Sequence, residues 1–489
     1  MQVAFLTKFR KPAASTKIKE KMMKSFTKKN ALWLSVAFLL CVGSTAINAL
    51  GQVYTRPTTT TSPTPKPLLQ DIQVQQTTTN SNTSSTSLIT KTASVSPAYP
   101  VINDVAIPGY SGILIETLDG KNVADSYSNY AFNPASNVKI ATAYAVLKTF
   151  GPDYRFQTSV WTDGQIDQNT RTLNGNLYVS GRDPMFNLEH GVNVAYELNR
   201  LGISSITGDL IVTDNFAMNY TMSPVASGNN LATTLDAGKR SAATTKAWQN
   251  YLVNSGKYGK ITLIPSVSLA GSVYVQPMPS NTRQLFTHES APLREIVKVT
   301  LCYSNNFLAE RLGDMIGGAF AVARTVQLNA NITPAEFILQ TSSGLGMNRV
   351  TPKAMMKLLR TLRSDLSKWK MTFADIMPVA GIDKGTLEGR FDTDFSRGSV
   401  VGKTGTLGNT DGGVSALAGE ITTRNGTLLF VIFNQRGSVP KFRAFQNNYV
   451  SLIQGQFGGA APMVYNPVAL DVRLANTRIT YPDSRARIN

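Results

Sequence analysis

Between Thr55 and Ala98 the chain reads TRPTTTTSPTPKPLLQDIQVQQTTTNSNTSSTSLITKTASVSPA. A stretch this rich in Thr, Ser and Pro cannot bury enough apolar surface to fold, so residues 55–100 read as a linker. Any core must be built from the residues beyond it, and order is expected from about Val101. Treated as a flexible coil, the linker spans roughly 35–40 Å root mean square. That length suits a folded body held away from whatever the first residues attach to.

Those first residues, 1–54, form a leader. Residues 1–30 hold nine Lys/Arg against one acid, Glu20. Next comes ALWLSVAFLLCVGSTAINALGQ, residues 31–52, without a charge. A basic lead, an apolar run and small residues make the pattern of an export signal, with Ser44 to Ala46 as a small-x-small cleavage site. The uncharged stretch from Asn30 to Thr55 is also long enough to span a bilayer, which takes roughly 20 residues. The expectation is an exported protein of the periplasm or cell envelope. Cleavage is one outcome; the other is retention as an anchor, with membrane contact through 31–52.

The net charge of the whole chain is +18. Such basicity can signal nucleic acid, but no basic helix interleaved with aromatics is present, and no nucleic-acid partner is expected. An anionic wall or membrane surface accounts for the charge. The two cysteines are Cys41, inside the apolar stretch, and Cys302. An internal disulfide is not expected, so the fold must rest on its core. The two histidines, His190 and His288, lie in polar, loop-like contexts and read as surface residues. No His-rich metal cluster is expected.

Past the linker, YSGILIETLDGKNVADSY reads as a β-hairpin with LDGK at its turn. An apolar helix comes next. Residues from about 158 to 285 show short strand-like runs separated by Gly, Asn and Asp. Helical patterns then continue to about 378. Near the end, SVVGKTGTL, GGVSALAGEI and TLLFVIFNQ read as three strands, the last two joined by the hairpin signal TTRNGT. Strands at both ends with helices between them predict an α+β fold, one antiparallel sheet flanked by helices. The expected organisation is a discontinuous domain of 101–157 and 286–460, a β-rich inserted domain of 158–285, and a tail of 461–489.

Chemistry concentrates in three short motifs. The first opens the apolar helix, in NPASNVKIATAYAVLKTF, residues 133–150. Read as one helix, Ser136, Ile140, Ala143, Tyr144 and Leu147 share a face, and Lys139 lies one turn beyond Ser136. A lysine stripped of water has a lowered pKa and can take a proton from a serine nucleophile. Ser-x-x-Lys also occurs at Ser25–Lys28 and Ser367–Lys370, but only Ser136–Lys139 opens an apolar helix, with Pro134 suited to its start. The second motif is Ser304-x-Asn306, repeated at Ser227–Asn229 in what reads as a polar loop. The third is Lys403-Thr404-Gly405-Thr406: a cation, two hydroxyls and room for close backbone approach, which suits a carboxylate. Each motif is weak alone. The ordered set Ser-x-x-Lys, Ser-x-Asn, Lys-Thr-Gly is the one that marks penicillin-binding proteins and β-lactamases.

The chain resembles the D-alanyl-D-alanine carboxypeptidases/endopeptidases of the class C, low-molecular-mass penicillin-binding proteins. Besides the motifs, SAPLREIVKVTLCYSNNFLAERL, SSGLGMNRVTP, MPVAGIDKGTLEGRF and GKTGTL are similar to signatures of that family, in order. GNLYVSGRDP and ITGDLIVTDNF resemble segments of its inserted domain. The likeness covers about residues 100–455. It implies a β-lactamase/transpeptidase-like fold and a serine DD-peptidase acting, with no metal and no organic cofactor, on peptidoglycan stem peptides that end in D-Ala-D-Ala. It further implies Ser136 as nucleophile, Lys139 as its base and Ser304 as proton relay beside Lys403. Asn306 would hold the substrate amide. Lys403, Thr404 and Thr406 would surround the terminal carboxylate, with Gly405 between them. Backbone N–H groups of Ser136 and Thr406 would form the oxyanion hole, and β-lactam antibiotics would acylate Ser136. Ser136 and Ser304 stand closer in sequence than in the better-known members, so one inserted subdomain is expected to be reduced.

Two other readings stand beside this one. A β-lactamase or esterase could use the same fold, but no E-x-x-x-N deacylating glutamate is assignable. A non-catalytic penicillin- or wall-binding module would need Lys139 to be mispositioned.

Overall fold

The strand Gly426–Gln435, GTLLFVIFNQ, is apolar on both faces and buried from Leu428 onward. Such a strand needs a packed layer on each side. Leu429, Val431 and Phe433 point to one layer, beside Ile140, Tyr144, Ile296 and Leu358 of the helices Val138–Phe150, Leu293–Tyr303 and Pro352–Lys368. Leu428, Phe430 and Ile432 point to the other, against Tyr449, Val450 and Ile453 of the helix Val439–Gln456. The period of two thus becomes a helix–sheet–helix sandwich, each fully buried side chain contributing about 1.5–3 kcal/mol. These residues belong to the computed structural model, which describes 94–95 and 105–482. The expected leader, 1–54, and most of the linker lie outside the described residues.

The six-stranded sheet is antiparallel throughout. Its order is Ser94–Val95, Asn122–Ser126, Tyr110–Thr117, Gly426–Gln435, Val414–Thr423 and Val400–Leu407. The strands expected from both ends of the sequence therefore meet in one sheet. The start of order differs from the expectation: Ser94–Val95, inside the supposed linker, pairs with Ala124 and Asp125. The strand Asn122–Ser126 would otherwise present an open edge, and two residues of backbone suffice to occupy part of it.

The segment expected to be β-rich is an α/β assembly. Its strands fall into a second six-stranded sheet and a four-stranded one. Three helices, Leu188–Arg200, Pro224–Leu235 and Ala242–Asn254, accompany them. The composition of PVASGNNLATTL disfavours a helix interior. Ser223 nevertheless accepts from the Ala226 N–H, with Pro224 in the first turn, the combination that starts a helix. Ser227 and Asn229 lie in this helix and not in a loop, with Ser227 buried and bonded back to Ser223 O at 2.9 Å.

His190 and His288 are buried, 4% and 0% exposed, which corrects the surface reading. His288 lies in the strand Arg283–Glu289, which is buried from Leu285 through His288. The two rings are 4.8 Å apart, with Phe186 and Tyr251 against them. Burial depresses both imidazoles, which stay neutral. The tail is also built in. Arg478–Thr480 pairs with Thr287–Glu289, and Arg473 bonds Glu295 at 2.8 Å at the start of the helix Leu293–Tyr303.

A buried ion pair locks that helix to the loop beyond it. Lys298 Nζ donates to Asp383 Oδ2 (2.6 Å), Ala374 O (2.8 Å) and Met377 O (2.6 Å), and neither charged side chain reaches solvent appreciably. Tyr465 of the tail donates to the other Asp383 oxygen. Removing one member of a buried pair typically costs about 3–5 kcal/mol. Lys298→Met is therefore expected to lose about that much in equilibrium unfolding. The double variant Lys298→Met, Asp383→Asn removes the orphaned charge while keeping an acceptor, and should recover part of the loss. A single variant as stable as wild type would show the pair to be energetically idle.

Candidate active site

Ser136 does not stand in the α-helix that its motif predicts. It occupies a 3-10 turn, Ala135–Asn137, and the helix begins at Val138. The helix is also not amphipathic: every residue from Val138 to Leu147 is buried, as suits a central helix that is apolar nearly all round. The turn before Ser136 is strained, since Ala135 has φ +46°. Its surroundings hold it there. Asn133 Oδ1 accepts from Ala135 N at 3.0 Å, while Asn133 Nδ2 donates to Asp411 Oδ2 at 2.7 Å and Gly346 O at 2.9 Å. Gly344, at φ +89°, passes so close beneath that a Cβ would lie 2.0 Å from Ala135 O. On the opposite side Gly405 has the same reason to be glycine. Its Cβ would meet Pro134 O at 2.6 Å, so Lys-Thr-Gly lets the edge strand run against the serine turn.

Lys139 is 1% exposed. Its Nζ lies 3.0 Å from Ser136 Oγ, 2.7 Å from Asn306 Oδ1 and 2.5 Å from Ser343 O. Burial pushes its pKa down to about 7, with the carboxylate of Glu310 pulling the other way. A neutral amine has two N–H groups and one lone pair. Asn306 Oδ1 and Ser343 O can only accept, so they take both hydrogens, and the lone pair is left for the Ser136 hydroxyl proton. The arrangement can therefore generate an alkoxide nucleophile from Ser136 near neutral pH.

Ser304 caps the helix Leu293–Tyr303 in the left-handed region, φ +55° and ψ +40°. Asn305 then starts the next helix, Asn306–Asp314, its side chain accepting from Leu308 N. This tight break turns Ser304 and Asn306 in different directions. Asn306 goes to Lys139, and Ser304 to Lys403, whose Nζ donates to Ser304 Oγ at 2.9 Å and to Thr404 O at 2.7 Å. Lys403 is 0% exposed. Burial, with repulsion from Lys139, holds its ammonium well below the usual lysine value. Lys403 thus meets Ser304, as expected of a relay pair, and its ammonium has no exposed surface of its own.

The cleft beside these groups has a volume of about 630 Å³ and is lined in part by Ser136, Ser304, Asn306, Thr404 and Thr406. Its further lining includes Arg390 and Arg443, to which the motifs assign no role. Glu310 is a second omission. It accepts from Ser342 N (3.1 Å) and Ser343 N (2.9 Å), fixing the segment whose carbonyl meets Lys139. Its one sequence signal is the i,i+4 spacing from Asn306 on a helix. Ser367, of the pair Ser367–Lys370, is exposed in the last turn of its helix, and Ser438 of a further Ser-x-x-Lys, Ser438–Lys441, is exposed before the helix Val439–Gln456. Among the described residues no cluster of three or more His, Cys, Asp or Glu could hold a metal ion.

Comparison with known proteins places this geometry in a family. A D-alanyl-D-alanine carboxypeptidase of Actinomadura sp. (strain R39) is 25% identical over 462 residues, covering 74% of this chain and 84% of that protein. The fold is shared with a penicillin G-acylated predatory endopeptidase from Bdellovibrio bacteriovorus (TM-score 0.63, 22% identity, 76% of this chain and 99% of that one). It is shared as well with penicillin-binding protein 4 from Haemophilus influenzae (TM-score 0.53, 21% identity, 71% and 96%). The profile of D-Ala-D-Ala carboxypeptidase 3 (S13) matches residues 101–265 and 263–454. Those two matches take in all three motifs, and the chain belongs to the D-Ala-D-Ala carboxypeptidase 3 (S13) family of serine peptidases.

Proposed function

We propose that the chain is an exported serine DD-peptidase whose acyl-enzyme forms on Ser136. The observation that carries this reading is Lys139: buried, brought to a pKa of about 7, and 3.0 Å from Ser136 Oγ. Ser136 Oγ attacks the carbonyl of the penultimate D-alanine as its proton passes to Lys139 Nζ. The backbone N–H groups of Ser136 and Thr406 receive the developing oxyanion. The C–N bond to the terminal D-alanine breaks, and Ser304, beside Lys403, hands the leaving nitrogen its proton. Water then hydrolyses the ester and restores Ser136, and the proton held on Lys139 passes back to Ser304, which closes the cycle. Asn306 orients the substrate amide while its Oδ1 holds Lys139. A β-lactam meets the same nucleophile through its strained amide, a reading supported by the Bdellovibrio endopeptidase of the same fold, which is acylated by penicillin G. The basic lead and the uncharged stretch 31–52 support export to the cell envelope.

Incubation with peptidoglycan fragments, followed by mass spectrometry, tests the reading. Loss of one D-alanine from pentapeptide stems marks carboxypeptidase action, and conversion of cross-linked dimers to monomers marks endopeptidase action. Unchanged fragments together with rapid turnover of penicillin would replace the peptidase reading with a β-lactamase.

A further inference from the structure

Arg390 and Arg443 line the cleft, and among the described residues neither makes a salt bridge. Their settings differ. Arg390 is half-buried and fixed by neutral amides: Nε donates to Asn447 Oδ1 at 2.8 Å and Nη2 to Gln446 Oε1 at 3.1 Å. Gln446 is itself 0% exposed and donates to Asn434 Oδ1 and Ser415 Oγ. Arg443 is exposed and reaches the motif strand, its Nη2 donating to Thr406 Oγ1 at 3.0 Å.

We propose that Arg443, with the hydroxyls of Thr404 and Thr406, is the group that receives the substrate's terminal carboxylate, while Lys403 is confined to Ser304. The proposal rests on the peptidase reading above. Three features lead to it. Lys403 has no exposed surface and spends its N–H groups inside the protein. Thr406 Oγ1, by accepting from Arg443, keeps its own proton to donate into the cleft. A guanidinium keeps its charge at all working pH values and offers a planar fork that matches a carboxylate.

The test is a set of kcat/KM values on one peptide ending in D-Ala-D-Ala, as the free acid and as the C-terminal amide, with D-alanine or D-alaninamide release as readout. Wild type should prefer the acid. Arg443→Gln should lose roughly 10- to 150-fold on the acid, the worth of a charged hydrogen bond, and keep its rate on the amide. The acid/amide ratio then collapses, with the loss appearing mainly in KM. Arg443→Lys should keep part of the preference, which separates charge from packing. A ratio that survives in Arg443→Gln overturns the inference, as do equal losses on both substrates. So does collapse of the ratio in Arg390→Gln with Arg443→Gln unaffected. Wild-type protein that releases no D-alanine from the acid overturns the peptidase reading itself, and the inference with it.

Discussion

Ser136→Ala is expected to abolish covalent labelling by a fluorescent penicillin and to remove D-alanine release, a fall on the order of 10⁶-fold in kcat where the nucleophile itself is lost. No other serine among the described residues combines access to the cleft with a buried amine at its hydroxyl except Ser304, and the two are not equivalent. The amine beside Ser136 has two carbonyl oxygens to absorb its N–H groups and free its lone pair. The amine beside Ser304 has one, Thr404 O. Ser304→Ala should therefore slow turnover while labelling on Ser136 persists. The exposed Ser367→Ala should label at the wild-type rate. Mass spectrometry of the labelled peptide decides the matter: a penicilloyl adduct on any residue but Ser136 would end the assignment.

Lys139→Ala should slow acylation by about 10²- to 10⁴-fold, the usual contribution of a positioned base. The pH profile gives the sharper result. Because the neutral amine is the working form, wild-type acylation should rise with pH through about 7 and level off above it. Burial mainly sets where that limb falls, and Glu310 opposes it. Its carboxylate favours the ammonium form of Lys139, so Glu310→Gln should lower the lysine pKa and move the limb to lower pH. The amide keeps one acceptor for the Ser342 and Ser343 N–H groups. A limb that stays in place, or a Lys139→Ala enzyme that acylates at full speed, would make the lysine a packing residue.

The burial that makes Lys139 useful also has a stability signature. The unfolded chain binds a proton at Lys139 up to about pH 10.5, whereas the folded chain releases it near 7. Between those values the unfolded state holds more protons, so this residue's contribution to stability rises with pH across that window and is least favourable below it.

Local pattern carried some of this architecture and not the rest. The strands around Lys-Thr-Gly and the two hairpins were legible because strand period and turn residues are properties of adjacent positions. Ser136 and Lys139 were legible for the same reason. The contacts that hold Lys139 were not, even though Asn306 stood out as a motif residue: Asn306 lies 167 positions away and Ser343 lies 204 away, and only the completed fold brings them to one nitrogen. His288 shows the converse error. Its neighbours Thr287 and Glu289 are polar, yet the strand is covered on both faces from Leu285 to His288, so Thr287 and the imidazole are enclosed alike. Arg443 carried no local signal at all, because its meaning comes from the Thr406 hydroxyl on another element.

The order of strands in the central sheet has a bearing on how the chain comes to fold. Tyr110–Thr117 finds its partner in Gly426–Gln435, and Asn434 Nδ2 reaches Ser111 Oγ at 2.7 Å across 323 positions. Arg478–Thr480 closes the second sheet later still. Contacts this distant in sequence must wait for loop closure, which makes folding slow. Vectorial synthesis adds a further delay. At roughly 5–20 residues per second, the hairpin near the start is made long before the strand that will cover it, and the sheet cannot close until almost the whole chain exists. Closure of this sheet is thereby postponed to the end of synthesis, so the hairpin made first cannot be covered until its last partner strand is complete.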